Sequence, residues 1–137
     1  MTTSPNRMLG IILGLIYFVV GVVGFFYTST TDFASTQGPL FISLFEVNPL
    51  TNLIHLFLGV VLLITGLVGP RAARTATFLV GIVFAGAGLL GLALLAAPSS
   101  NVFAFNAADD VLHIASAVVL IAVAVGADRE AFKAKAA

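Results

Sequence analysis

Cysteine and tryptophan are absent from this 137-residue chain, and histidine occurs only twice. Without cysteine there is no disulfide framework, no thiolate metal ligand and no thiol nucleophile, and the redox compartment leaves no mark on the composition. Charge is equally scarce: six basic and six acidic residues make up 9% of the chain and cancel. Nucleic acid demands clustered positive charge, so no nucleic-acid partner is expected. The chain also lacks a phosphate-binding glycine loop with its lysine, a His-Glu-x-x-His pair and a Gly-x-Ser-x-Gly elbow. No enzyme activity is expected from it.

What the chain has in abundance is apolar side chain, at 60% of residues and a mean hydropathy of +1.14. The natural solvent of such a chain is a bilayer. Four apolar segments stand out, at about residues 8–26, 49–68, 76–96 and 107–126. At about 1.5 Å per residue, a helix of roughly 20 residues crosses a hydrocarbon layer of about 30 Å. The fold class is therefore all-α, with four transmembrane helices. Arg7, then Arg71 and Arg74 in the second connection, then Arg129, Lys133 and Lys135 fall on one side, while Asp32, Glu46, Asp109 and Asp110 fall on the other with no basic residue among them. The positive-inside rule makes the basic side cytoplasmic, which places a multi-pass protein in the plasma membrane with both termini inside. The first segment also resembles a signal peptide behind Arg7, but its glycines match those of an internal segment, so it is expected to be retained.

That match is one part of a duplication. Gly14-x-x-Tyr17-x-x-x-Gly21-x-x-Gly24 recurs 67 positions later as Gly81-x-x-Phe84-x-x-x-Gly88-x-x-Gly91, and Phe45-x-x-Asn48-x-x-x-Asn52-x-x-His55 recurs 58 positions later as Phe103-x-x-Asn106-x-x-x-Asp110-x-x-His113. The chain reads as one membrane domain over 1–137 built from two tandem helical hairpins, repeat 1 at about 7–69 and repeat 2 at about 74–126. An external connection at 27–48 and a cytoplasmic tail at 127–137 complete it. Both repeats start on the same side, so they are parallel, and their pseudo-twofold axis runs along the membrane normal.

Each repeated residue has a physical reading. Gly14, Gly21 and Gly24, like Gly81, Gly88 and Gly91, line one face of a helix and let a neighbouring backbone approach, within the bundle or across a dimer face. Asn48 ahead of Pro49, and Asn106 with Asp109 three residues on, have the pattern of helix N-caps. Asn52 with His55, and Asp110 with His113, form a candidate polar layer about 10 Å inside the outer helix starts. Ionisable groups at that depth face protein or water rather than lipid. The layer reads as a clasp in which His55 and His113 bridge helices and Asn52 and Asp110 satisfy or orient their rings. As a ligand site instead, the two imidazoles would hold haem or a divalent metal; no cofactor is expected under the clasp. The apolar stretch Leu40–Phe45 is too short to span, and it is expected to lie at the interface where its aromatics roof the histidine layer.

The element from Phe45 through Asn48-Pro49, Asn52 and His55 to Gly59, followed by Asn106 through His113, resembles a bacterial membrane family common in actinobacteria, domain of unknown function 4383. The resemblance runs over nearly the whole chain and implies four membrane helices. The second copy departs from the first by Asp110 in place of Asn52 and Ala107 in place of Pro49. The family carries no established activity, so the resemblance implies a fold and no chemistry. Small size, glycine-lined faces and missing chemistry point to an accessory or scaffold protein that packs against lipids, a membrane partner or itself. Ligand binding by His55 and His113, or part of an ion or proton pathway, are the alternatives.

Overall fold

A computed structural model describes residues 4–128. Arg129, Lys133 and Lys135, which carry the orientation charge of the tail, lie outside the described residues. Four helices dominate: α1 Pro5–Tyr27, α2 Pro49–Val68, α3 Pro70–Leu94 and α4 Ala107–Gly126. All four are long and apolar enough to cross a membrane. A short hairpin of strands β1 (Leu40–Phe41) and β2 (Phe45–Glu46) lies in the first long connection, and a single 3-10 turn at Pro98–Ser100 lies in the second.

The bundle exposes apolar side chains and buries several polar ones around an apolar core. Phe26, Phe57, Leu67, Leu89, Val111 and Val118 are exposed, whereas Asn6, Asn48, Asn52, Thr77 and Asp110 are fully buried beside Leu62 and Leu120. In lipid this arrangement costs least, because the exposed apolar surface meets hydrocarbon and the polar groups stay within protein.

Helices pair as two hairpins, α1 along α2 and α3 along α4, as the duplication requires. The glycine faces lie inside those pairs. A Cβ on Gly14 would sit 2.7 Å from Leu63 N and 2.9 Å from Gly59 O of α2, and one on Gly88 would meet Ile114 and Asp110 of α4. Gly24 makes room for the Asn52 side chain, and its counterpart Gly91 makes room for Asp110.

Hydrogen bonds repeat with the same two offsets. Arg7 Nε donates to Gly66 O at 2.9 Å, and Arg74 Nε donates to Ala124 O at 2.7 Å. Asn48 and Asn106 cap α2 and α4 in capping boxes with Thr51 and Asp109. The two caps also exchange bonds across the pseudo-twofold axis: Asn48 Nδ2 donates to Val102 O at 2.8 Å, and Asn106 Nδ2 donates to Leu44 O at 2.9 Å. Each repeat therefore fixes the long connection of the other.

One expectation needs correction. Arg71 and Arg74 were placed in a connection, but α3 begins at Pro70 and leaves Gly69 alone between α2 and α3. Proline suits the first helical position, and Arg-Ala-Ala-Arg-Thr is polar without being a helix breaker, so hydropathy set the boundary too late. At the C-terminal end of α4, Asp128 closes the bundle by accepting from Ser4 Oγ at 2.7 Å, Asn6 N at 3.2 Å and Asn6 Nδ2 at 2.8 Å.

Candidate functional site

The helix starts of α2 and α4 set the height of the two histidines, and the pseudo-twofold axis brings them together. Their ring centroids are 6.1 Å apart with planes inclined at 28°. Each packs on the aromatic of the other repeated motif: Tyr17 lies 5.9 Å from His55, and Phe84 lies 5.3 Å from His113. Tyr17 and Phe84 then meet each other at 4.9 Å, closing a four-ring cluster. Phe105 adds an edge contact to His113 at 4.9 Å. The sequence reading had used Tyr17 and Phe84 only as markers of the repeat; their identical place in the two motifs was the signal that they share the histidine layer.

Asn52 and Asp110 do not serve the histidine rings, contrary to the clasp expectation. Asn52 Nδ2 donates to Thr28 Oγ1 at 3.0 Å, and the side chain lies against Gly24. Asp110 lies against Gly91, and neither carboxylate oxygen has a hydrogen-bond partner among the described residues. Three residues along a helix turn the side chain by about 300°, so position 52 faces α1 while position 55 faces the bundle centre. Thr28 has Leu95 as its counterpart, which explains why Asn52 is partnered and Asp110 is not.

His113 Nδ1 is buried without a partner, and His55 Nδ1 falls short of a well-formed hydrogen bond, with a backbone group of Thr51 nearby. Ring nitrogen lone pairs lie in the ring plane. Two stacked imidazoles therefore do not aim them at one point between the rings, and the arrangement favours ring contact over a shared axial metal. Among the described residues, no three His, Asp or Glu side chains converge as metal ligands.

Beside the ring cluster lies a cavity of about 330 Å³ between α1 and α4. Tyr17, His55 and His113 line it with Ser116 and Asp109, the apolar wall includes Leu13, Ile16, Val20 and Leu112, and Phe41, Ile42 and Phe45 of the hairpin roof it. Tyr17 OH donates to Ser116 Oγ at 3.0 Å. Asp109 Oδ2 accepts from Asn106 N at 3.0 Å and from Glu46 N at 3.2 Å, which ties the hairpin to the start of α4.

Duplication supplies an internal comparison for this cavity. The equivalent crevice between α2 and α3 replaces Tyr17, Ser116 and Asp109 by Phe84, Leu58 and Thr51. There α2 and α3 pack together, and Leu58 and Phe84 are buried in the apolar core. One of two equivalent crevices is thus closed, and the other is open, its largely apolar wall interrupted by a few polar groups.

Compared with known families, residues 7–126 match the profile of a domain of unknown function, DUF4383. The chain belongs to that family. The match spans both repeats, from Arg7 to the last turn of α4, and the family is an uncharacterised four-helix membrane family. No curated protein and no solved structure matches the chain.

Proposed function

We propose that this small membrane protein binds a small amphipathic molecule in the cavity between α1 and α4, entering from the outer half of the membrane. The broken symmetry of the two crevices carries this reading. The two crevices share the histidine pair, and the α1/α4 one alone adds a tyrosine, a serine and an aspartate to its lining. Mixed apolar walls with a few convergent polar groups are the usual make-up of a small-molecule site.

Other readings have less behind them. A scaffold or self-associating role drew on the glycine faces, and these are filled by α2 and α4 of the same chain. A through-membrane ion or proton path needs polar groups at successive depths, and fully buried Leu62 and Leu120 occupy the core of the bundle instead. The charge distribution supports an outward-facing cavity, because the positive-inside rule favours a cytoplasmic Arg7, Arg71 and Arg74 end.

The duplication also supplies the test. Tyr17→Phe with Ser116→Leu installs at the α1/α4 crevice the residues found at the other crevice, so the double variant should fold. Organic extraction of wild-type protein, purified in a neutral detergent, should yield a bound small molecule by mass spectrometry, and the variant should have lost it. Equal recovery from both proteins, or none from wild type, overturns the reading.

A further inference from the structure

The cavity is electrostatically one-sided. No lysine or arginine occurs between Arg7 and Arg71 or between Arg74 and Arg129, so the end of the bundle opposite those arginines holds Asp32, Glu46, Asp109 and Asp110 with no lysine or arginine among them. Asp109 is buried and lines the cavity. Its partners are the backbone N–H groups of Asn106 and Glu46, which hold the carboxylate without neutralising it. Glu46 is held beside it, its Oε1 accepting from Gly38 N at 2.7 Å. Net negative charge in a low-dielectric wall is costly unless a proton or a cation joins it, and a bound cation is what keeps the carboxylate ionised there.

The rest of the lining suits a cation with an apolar body. Tyr17, Phe41 and Phe45 line the same cavity as the Asp109 carboxylate, and aromatic rings attract positive charge. His113 adds a buried side chain whose Nδ1 has no partner. Leu13, Ile16, Val20 and Leu112 continue the wall with purely apolar side chains. A volume of about 330 Å³ accepts one ring with a compact head group.

We infer that the α1/α4 cavity binds a lipophilic cation, a protonated or quaternary amine on an apolar body, with Asp109 as its counter-charge and Tyr17, Phe41 and Phe45 as its aromatic walls. The assignment rests on the cavity reading above and names the class of its ligand. It requires no anionic or carbonyl-seeking donor, and the outer half of the bundle offers no charged one.

Benzyltrimethylammonium and neopentylbenzene form a matched pair of probes, because replacing the quaternary nitrogen by carbon removes the charge and leaves the shape. In equilibrium dialysis against protein in a neutral maltoside micelle, the cation should bind saturably at one site per chain, and neopentylbenzene should not displace it. Asp109→Asn keeps an oxygen for the capping box and removes the charge, so it should weaken the cation at least tenfold while leaving the circular dichroism spectrum unchanged. Equal affinity for both probes, or for Asp109→Asn and wild type, overturns the cation assignment and leaves the cavity in place. Absence of saturable cation binding to wild type also overturns it. Whether the cavity reading stands is read separately, from the extracted molecule and its loss in the Tyr17→Phe/Ser116→Leu variant.

Discussion

Replacing Gly21 by alanine isolates the contact that holds the first hairpin together. An added Cβ would lie 2.6 Å from Leu56 N, 2.8 Å from Asn52 O and 2.9 Å from Leu56 Cα. All three are backbone atoms of α2, so no side chain can rotate away and the two helices must separate. Separation also loosens Gly14 against Gly59 and Leu63, which share the same seam. Overpacking costs about 1–3 kcal/mol, and a rigid backbone target places this site near the upper end. Gly86→Ala in α3 is the matched control, because nothing lies within 4 Å of its Cβ. Alanine gains about 1 kcal/mol of helix propensity at either position, so that term cancels in the difference. The two variants should then differ by about 3 kcal/mol, roughly a hundredfold in the unfolding equilibrium. Dodecyl sulfate titration in mixed micelles, followed by far-ultraviolet circular dichroism, measures that difference. If Gly21→Ala and Gly86→Ala unfold within about 1 kcal/mol of each other, the close α1–α2 seam is wrong.

Two further outcomes are expected. Burial raises the affinity of the Asp128 carboxyl for its proton, but hydrogen bonds from Ser4 and Asn6 and the nearby Arg74 charge outweigh it and hold the carboxyl below the usual aspartate range. The stability gap between wild type and Asp128→Ala should therefore be full above about pH 4 and shrink as pH falls through the lowered native value; a gap constant from pH 7 to 3 would refute this clasp. Reporter fusions in the 28–38 and 98–101 connections should both score as external, and a cytoplasmic score for either would sink the orientation.

The helices and their pairing were legible because each signal was local and doubled. Asn48-Pro49 and Asn106 with Asp109 mark helix starts by capping chemistry, and the glycine spacing appears twice. The hairpin over Leu40–Glu46 was not legible as strands. Its turn places Ile42 and Ser43 at φ of 47° and 60°, where the expected residues would be Asn and Gly. Tertiary bonds hold it instead, from Asn106 to Leu44 O and from Glu46 N to Asp109. At the site, the sequence identified the histidine layer but not its surroundings. Asn52 and Asp110 seemed tied to the histidines by sequence proximity, whereas Gly24 and Gly91, far along the chain, define the space those side chains enter. The cavity is lined where the repeats differ, at Tyr17 against Phe84 and Ser116 against Leu58, and a search for similarity passes over those positions.

The contact of Asp128 with Ser4 and Asn6 bears on how the chain is threaded. Position 128 corresponds, at the second-helix offset, to Pro70, where the chain passes from the first hairpin into the second. The two ends of the described chain thus touch where, half a turn around the axis, the backbone is continuous. Helix order is consequently almost a matter of where the ring is cut. A permuted chain opened at Gly69, with a short linker joining the old ends, would thread α3, α4, α1 and α2 through the same bundle, and the polar cavity would then lie at the seam between its two middle helices.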